Sequence, residues 1–322
     1  MSELLDRILR QTHTPNLLEI LGESLTPTDL QSLLLEVYRR RASHLTPAGL
    51  LAQFEHNRFV RPSTVDPRMI IELDRQAFSL AEPLFQPVEL APVCPLGATS
   101  VLSAVDQNST IATIRNTELV SDSTNVLALE CALRRRALLK SKDKTRQPVR
   151  LCASHRVLRA QNYNQPDLVA HFRLFALCTA GRDEGSLQFE FISLVEHLQF
   201  YIRLLSSLAE TGYSLQDIRV NITDLDGGVH HESLRTAVIE PLAAQFPGIQ
   251  FALDPGRQAG RGYYETFCFA LNANDIRGTD HNLVDGGFTN WTQQLLSNRK
   301  ERLLISGIGT ERVCSLYYPK AA

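Results

Sequence analysis

The sequence predicts a mixed α and β protein in two parts: a helical accessory region over residues 1–80, and a core over residues 81–322 in which strand-type runs alternate with helices. Three observations carry this. Thr-Pro pairs at 26–27 and 46–47 each precede apolar residues at helical spacing. Two β-type runs, Val149 to Leu158 and His171 to Thr179, flank an Asn/Gln/Pro-rich stretch and read as one long hairpin. A third run, Arg302 to Ser306, passes through Gly307-Ile308-Gly309 into a helix that opens at Thr310. With 322 residues, 43% apolar and 21% charged, the chain can bury a large core and is neither disordered nor fibrous.

The first helix is capped by Thr26 and carries Leu30, Leu33, Leu34, Val37 and Tyr38. Thr46-Pro47 opens a second with Leu50, Leu51 and Phe54, and a turn-rich segment, Arg61 to Pro67, leads to a third across Met69 to Leu80. These helices are expected to pack on the core as an accessory layer. Phe85 to Pro92 reads as a proline-bounded strand at a sheet edge or interface, and Ile111 to Arg115 as a further strand. Ser121-Asp122-Ser123-Thr124 caps a helix running through Leu127, Ala128, Cys131 and Leu133 to Arg134-Arg135-Arg136, and a polar loop spans Lys140 to Gln147. The hairpin tip, Gln161 to Asp167, is a common functional location.

Net charge is −2, which excludes a global basic field for holding a nucleic-acid backbone; the arginine runs are expected to be solvated. Six cysteines without a CxxC spacing read as buried free thiols in a reducing compartment. The N-terminus shows no basic stretch followed by an apolar core, and no apolar run reaches membrane length, so the expectation is a cytoplasmic protein with no membrane partner. No metal site is expected. His230 and His231 diverge on a strand or a helix and cannot easily share one ion, so Thr223 to Glu232 reads as a polar turn before a helix from Ser233. A metal held by Cys152, Cys268 and Glu190 would need the two cysteines on neighbouring strands.

The strand–glycine–helix junction at residues 302–316 leaves the first helical N–H groups without intrahelical partners, a setting for anionic groups, and Arg312 adds a planar cation one turn in. Arg159 at the exit of one hairpin strand, followed by His171-Phe172-Arg173-Leu174-Phe175 in the next, resembles motif 2 of the class II aminoacyl-tRNA synthetases. Gly307-Ile308-Gly309-Thr310-Glu311-Arg312 resembles their motif 3. Gly260 to Phe269, with Arg261, Tyr263 and Tyr264, is similar to the arginine–tyrosine–tyrosine strand of histidyl-tRNA synthetases. Gly286-Gly287-Phe288 before a helix from Trp291 to Leu296 resembles the glycine-pair turn that precedes motif 3 there, and Asp122-Ser123-Thr124 occupies the place of their acidic loop.

This resemblance, over roughly residues 80 to 320, implies an α+β fold with an antiparallel sheet flanked by helices, binding a bent ATP with Mg2+. By residue, it implies that Arg159 contacts the α-phosphate and the amino-acid carboxylate, that Arg312 clamps the γ-phosphate, and that Arg261 stabilises charge on the phosphorane. Gln161, Phe172 and Gly309 fall among the nucleotide-binding positions, while Asp122, Thr124, Tyr263 and Tyr264 fall among those that bind the amino acid. Adenylation is in-line attack by a carboxylate on phosphorus, and fixed cations around the equatorial oxygens suit it.

Three departures accompany the resemblance. Gln161 replaces an acidic residue at the adenine amino group, Phe288 stands in place of an arginine, and the gap from Arg261 to the tyrosines is two residues short, a displacement of about 7 Å along a strand. The sequence runs ten residues past Arg312, so no C-terminal anticodon-binding domain is expected. The expectation is a paralogue similar to the regulatory subunit of ATP phosphoribosyltransferase or to small ligases with a non-tRNA acceptor. Such a chain would be an ATP-dependent ligase acting on an amino acid or related carboxylic acid with a small-molecule or protein acceptor, or a non-catalytic subunit that binds an amino acid and regulates an enzyme. Either would be a homodimer, through the Pro87–Pro92 segment that resembles motif 1.

Overall fold

The structure is a computed structural model that describes residues 3–103, 105–141, 147–161 and 170–318; most of the hairpin tip and of the Lys140–Gln147 loop lies outside them. The N-terminal arm holds helices α1 (Glu3–Thr12), α2 (Leu17–Glu19), α3 (Pro27–Ser43) and α4 (Pro47–His56). Both Thr-Pro signals act as caps, with Thr26 Oγ1 accepting from the Asp29 N–H at 3.2 Å and Thr46 Oγ1 from the Gly49 N–H at 3.1 Å. No residue of these four helices is buried, so the expected packing of the accessory layer on the core does not enclose their side chains. A helical period fixes the stripe but not the surface it meets: Leu33, Val37, Tyr38, Leu50, Leu51 and Phe54 stay exposed. Only α5 (Pro67–Ala81), capped by Asp66, enters the core, through Ile70, Leu73, Ala77 and Ala81.

Next come β1 (Gln86–Pro87), β2 (Val93–Pro95), α6 (Ala98–Ser103), β3 (Thr117–Leu119), α7 (Ser123–Lys140), β4 (Val149–Leu158), β5 (His171–Arg182), α8 (Gln188–Glu210) and β6 (Gln216–Asp224). Short helical turns follow, α9 (His231–Leu234) and α10 (Glu240–Gln245), then β7 (Gln250–Leu253), β8 (Glu265–Asn274), β9 (Asp280–Thr289), α11 (Trp291–Leu296), β10 (Glu301–Ile308) and α12 (Thr310–Tyr317).

Eight strands form the main sheet in the order β1-β4-β5-β10-β9-β8-β6-β7. From β4 to β6 every neighbouring pair is antiparallel, and one strand joins in parallel at each edge. Side-chain alternation divides the strands between two layers. Phe175 and Leu177 of β5 and Leu304 of β10 face α5 and α8, where the Phe78 and Phe200 rings lie 5.1 and 5.5 Å from that of Phe175. Ala176, Cys178, Leu303 and Ile305 face α7 and its Leu127, Ala128 and Cys131. In the first layer a buried network joins His197 to Thr179 at 2.9 Å and to Ser306 at 2.7 Å.

Several predicted segments differ in detail. The Phe85–Pro92 strand shrinks to Gln86–Pro87, because Pro87 has no N–H with which to extend a ladder. Ile111–Arg115 makes only an isolated bridge at Ala112; Asn116, at φ 53°, closes a turn that moves the strand on to Thr117–Leu119. Gly286-Gly287 lies inside β9 and is not a turn. Arg261, Tyr263 and Tyr264 precede β8 in a loop. Cys152 on β4 and Cys268 on β8 are separated by β5, β10 and β9, so they do not meet.

Candidate functional site

On the α7 face of the sheet, beyond the N-terminal end of that helix, lies a cleft of about 400 Å³. Arg159 leaves β4 with its guanidinium carbon 5.1 Å from the centre of the Phe172 ring on β5. Its Nε donates to the Ser121 carbonyl at 3.0 Å and its Nη2 to Asp122 Oδ2 at 3.2 Å. Asp122 caps α7, accepting from the Thr124 N–H at 2.9 Å and the Thr124 hydroxyl at 2.8 Å. The helix cap therefore also orients the arginine.

The opposite wall comes from the β10–α12 junction: Gly307, Gly309, Glu311 and Arg312 line the cleft. Arg312 Nη1 donates to the Asn282 carbonyl at 3.2 Å. Glu311 is held by the Ser63 hydroxyl, by Arg156 at 2.9 Å and by the Arg173 N–H at 2.9 Å. Ser63 belongs to Pro62–Val65, a stretch of the arm that runs along the cleft, and Arg58 just before it donates to the carbonyls of Ala160 and Gln161.

Tyr263 and Tyr264 close the floor with ring centres 4.8 Å apart, Tyr263 against Trp291 at 5.7 Å. The Tyr264 ring position depends on glycine. A Cβ on Gly287 would come within 2.5 Å of Tyr264 atoms, and one on Gly260, itself at φ +81°, within 2.7 Å. Burial pushes both phenols above their ordinary range. Asp285 stands beside them with both oxygens 2.9 Å from Arg257 Nη2. Enclosure raises the carboxyl's pKa, and Arg257 and the Tyr264 hydroxyl oppose that shift. A second cavity of about 320 Å³ adjoins the first and shares Asp122, Arg159, Tyr263, Tyr264 and Asp285 with it.

Of the residues singled out by sequence, Arg159, Phe172, Gly309, Arg312, Asp122, Thr124, Tyr263 and Tyr264 thus line one cleft, and Gln161 lines the adjoining cavity. Arg261 does not reach either. Its guanidinium folds back on its own loop, donating to the carbonyls of Arg257 at 2.8 Å and Pro255 at 3.3 Å. Arg257, four residues earlier in the same loop, instead turns to Asp285. Sequence reading missed Arg257, Asp285 and the Pro62–Val65 wall. Asp285, next to the glycine pair, carried a signal; Arg257 carried none beyond its place in a Pro/Gly loop.

No family model matches this chain, and no curated protein does. The fold is that of the class II aminoacyl-tRNA synthetase core, as comparison with solved structures shows. S. aureus histidyl-tRNA synthetase superposes with a TM-score of 0.55 at 15% identity, covering 76% of this chain and 64% of its own. A Bacillus halodurans protein described as an ATP phosphoribosyltransferase regulatory subunit/histidyl-tRNA synthetase gives 0.54 at 13% identity, covering 80% and 81%. A histidine–tRNA ligase subunit from Alicyclobacillus acidocaldarius gives 0.56 at 12%, covering 79% and 94%. This chain thus spans less than two thirds of the staphylococcal enzyme. Among the described residues no helix is long and apolar enough to cross a membrane.

Proposed function

We propose that the protein is an ATP-dependent ligase that activates an amino acid or related carboxylic acid as its adenylate and passes it to an acceptor other than tRNA. The observation that carries this is the position of Arg159 and Arg312 on opposing walls of one cleft, with Phe172 under the first and a second, polar cavity opening beside it. Two guanidiniums lining one cleft suit the phosphates of a triphosphate, and the Phe172 ring adds a flat apolar surface for a base. The acid would lie in the second cavity, with Arg159 at the boundary able to hold its carboxylate against the α-phosphate. Among the described residues no three metal-ligating side chains cluster. Mg2+ would therefore arrive with the nucleotide, coordinated by phosphate and water.

The test is pyrophosphate exchange with ATP, Mg2+ and a panel of acids. Exchange specific to one acid is expected, together with a rise in melting temperature on adding ATP. Arg159→Ala or Arg312→Ala should weaken ATP binding by about 10- to 100-fold, the loss of a charged hydrogen bond. Silence across the panel with no stabilisation by ATP would reject the reading.

A second reading, a non-catalytic subunit that binds an amino acid and regulates an enzyme, is favoured by Arg261 folding away from the cleft and by an amide at Gln161. Amino-acid binding without exchange would assign it. Either form is proposed to be a homodimer, since β1 leaves a sheet edge in the segment that resembles motif 1; light scattering at monomer mass would contradict this.

A further inference from the structure

The stretch 58–65, which joins the arm to α5, touches the core at residues that adjoin the cleft in sequence. Arg58 donates to the carbonyls of Ala160, next after Arg159, and of Gln161 at 2.7 Å. The Arg61 carbonyl lies 2.6 Å from Nε2 of His171, which precedes Phe172. A carbonyl can only accept, so Nε2 carries the His171 proton and Nδ1 accepts from Arg156 Nη1 at 2.9 Å. The Ser63 hydroxyl donates to Glu311, which precedes Arg312. One short stretch thereby ties together the exit of β4, the start of β5 and the first turn of α12, the places that carry Arg159, Phe172 and Arg312.

Its two ends are held differently. On the C-terminal side Val65 packs against the core, and α5 buries Ile70, Leu73, Ala77 and Ala81. On the N-terminal side the Arg61 guanidinium donates to the Glu55 carbonyl in α4, a helix with no buried residue. Arg58 and Arg61 are both exposed, and hydrogen bonds open to water break at a small fraction of the free energy of global unfolding. The stretch can therefore part from the core while the sheet stays folded.

We propose that residues 58–65 are a clasp on the cleft, with Arg58 and Ser63 as its positioning residues. Acting through Ala160 and Glu311, they hold Arg159 and Arg312 in the arrangement that takes the phosphates of a nucleotide, and a bound nucleotide in turn holds the clasp shut. Groups ordered in advance bind more tightly, because their ordering no longer opposes association. The coupling is reciprocal by thermodynamic linkage. This inference rests on the nucleotide reading of the cleft and gives the arm a part in it. Arg58 is the sharper probe of the two: it lines neither cavity, so any effect it has on a ligand passes through the carbonyls it holds.

The test is calorimetric titration of the full chain with ATP and Mg2+, in the wild type, Arg58→Ala and Arg58→Lys, together with hydrogen exchange of the wild type. Arg58→Ala is expected to bind ATP about 10-fold more weakly, a usual size for coupling between sites, with the melting temperature of the unliganded protein unchanged. Arg58→Lys, whose ammonium still donates to a carbonyl, should lose less than about 3-fold. In the wild type, saturating ATP should slow amide exchange over residues 59–61, which line neither cavity, by about 10-fold, the reciprocal effect. Unchanged affinity in Arg58→Ala would overturn the proposal, as would exchange over 59–61 that is indifferent to ATP. So would a loss that comes with a lowered melting temperature and persists in Arg58→Lys, the mark of a merely structural role. If ATP binds the wild type but ignores Arg58, only the clasp fails. If the wild type binds no ATP, the nucleotide reading fails and the clasp with it.

Discussion

His197 shows what a single buried polar residue does to the behaviour of this molecule. Its ring bridges Thr179 and Ser306 in the layer that faces α5 and α8, and burial holds its pKa down to about 3 from an ordinary 6.5. As pH falls through 6.5 the unfolded chain takes up a proton that the folded one refuses until about pH 3. Stability is therefore full above that window and declines across it, by on the order of 4 kcal/mol in all. Urea titrations at successive pH values should show the decline, and His197→Gln should lessen it. Gly287 is a second such position. Gly287→Ala would drive a methyl into the Tyr264 ring, so we expect a destabilisation of about 1–3 kcal/mol in thermal melts. Any ligand that stabilises the wild type should stabilise this variant much less.

At the scale of elements, α7 is fixed to the sheet by a buried pair: Arg135 Nε and Nη2 meet the two Glu301 oxygens at 2.8 and 3.0 Å, both side chains almost wholly enclosed. Removing one partner strands the other charge away from water. Glu301→Gln should cost about 3–5 kcal/mol by chemical denaturation, whereas replacing Arg135 and Glu301 together by Met and Leu should cost far less. Because α7 begins at the cleft, loosening it should also weaken ligand binding. The arm behaves differently. Since no residue of α1 to α4 is buried, deleting residues 1–56 should leave a single cooperative transition with its midpoint little changed by calorimetry. Deletion through residue 66 should do more, as Ser63 and the wall of the cleft go with it.

For the whole molecule, much of the architecture was legible because local rules and tertiary packing agree. The Thr-Pro caps, the Asp122 cap and the long hairpin all depend on near neighbours in sequence, and all stand where the pattern puts them. Failures fell where distant surfaces decide. Nothing within the arm reveals that Leu33, Val37, Leu50 and Leu51 stay exposed, and nothing in a Pro/Gly-rich loop distinguishes Arg257, aimed at Asp285, from Arg261, turned back on its own carbonyls. Spacing counts residues along a chain, but a loop with glycines at φ +81° can send successive arginines in opposite directions. The position of β10 has a consequence for how the protein is made. It follows every other strand in sequence yet lies between β5 and β9, so a ribosome releases two half-sheets with no shared ladder until residues 301–308 have emerged. Each half meanwhile exposes an unpaired edge, the kind of surface that chaperones cover and that favours misassembly. A nascent chain stalled before residue 300 should therefore be digested by protease throughout, and one extended past α12 should become resistant in a single step.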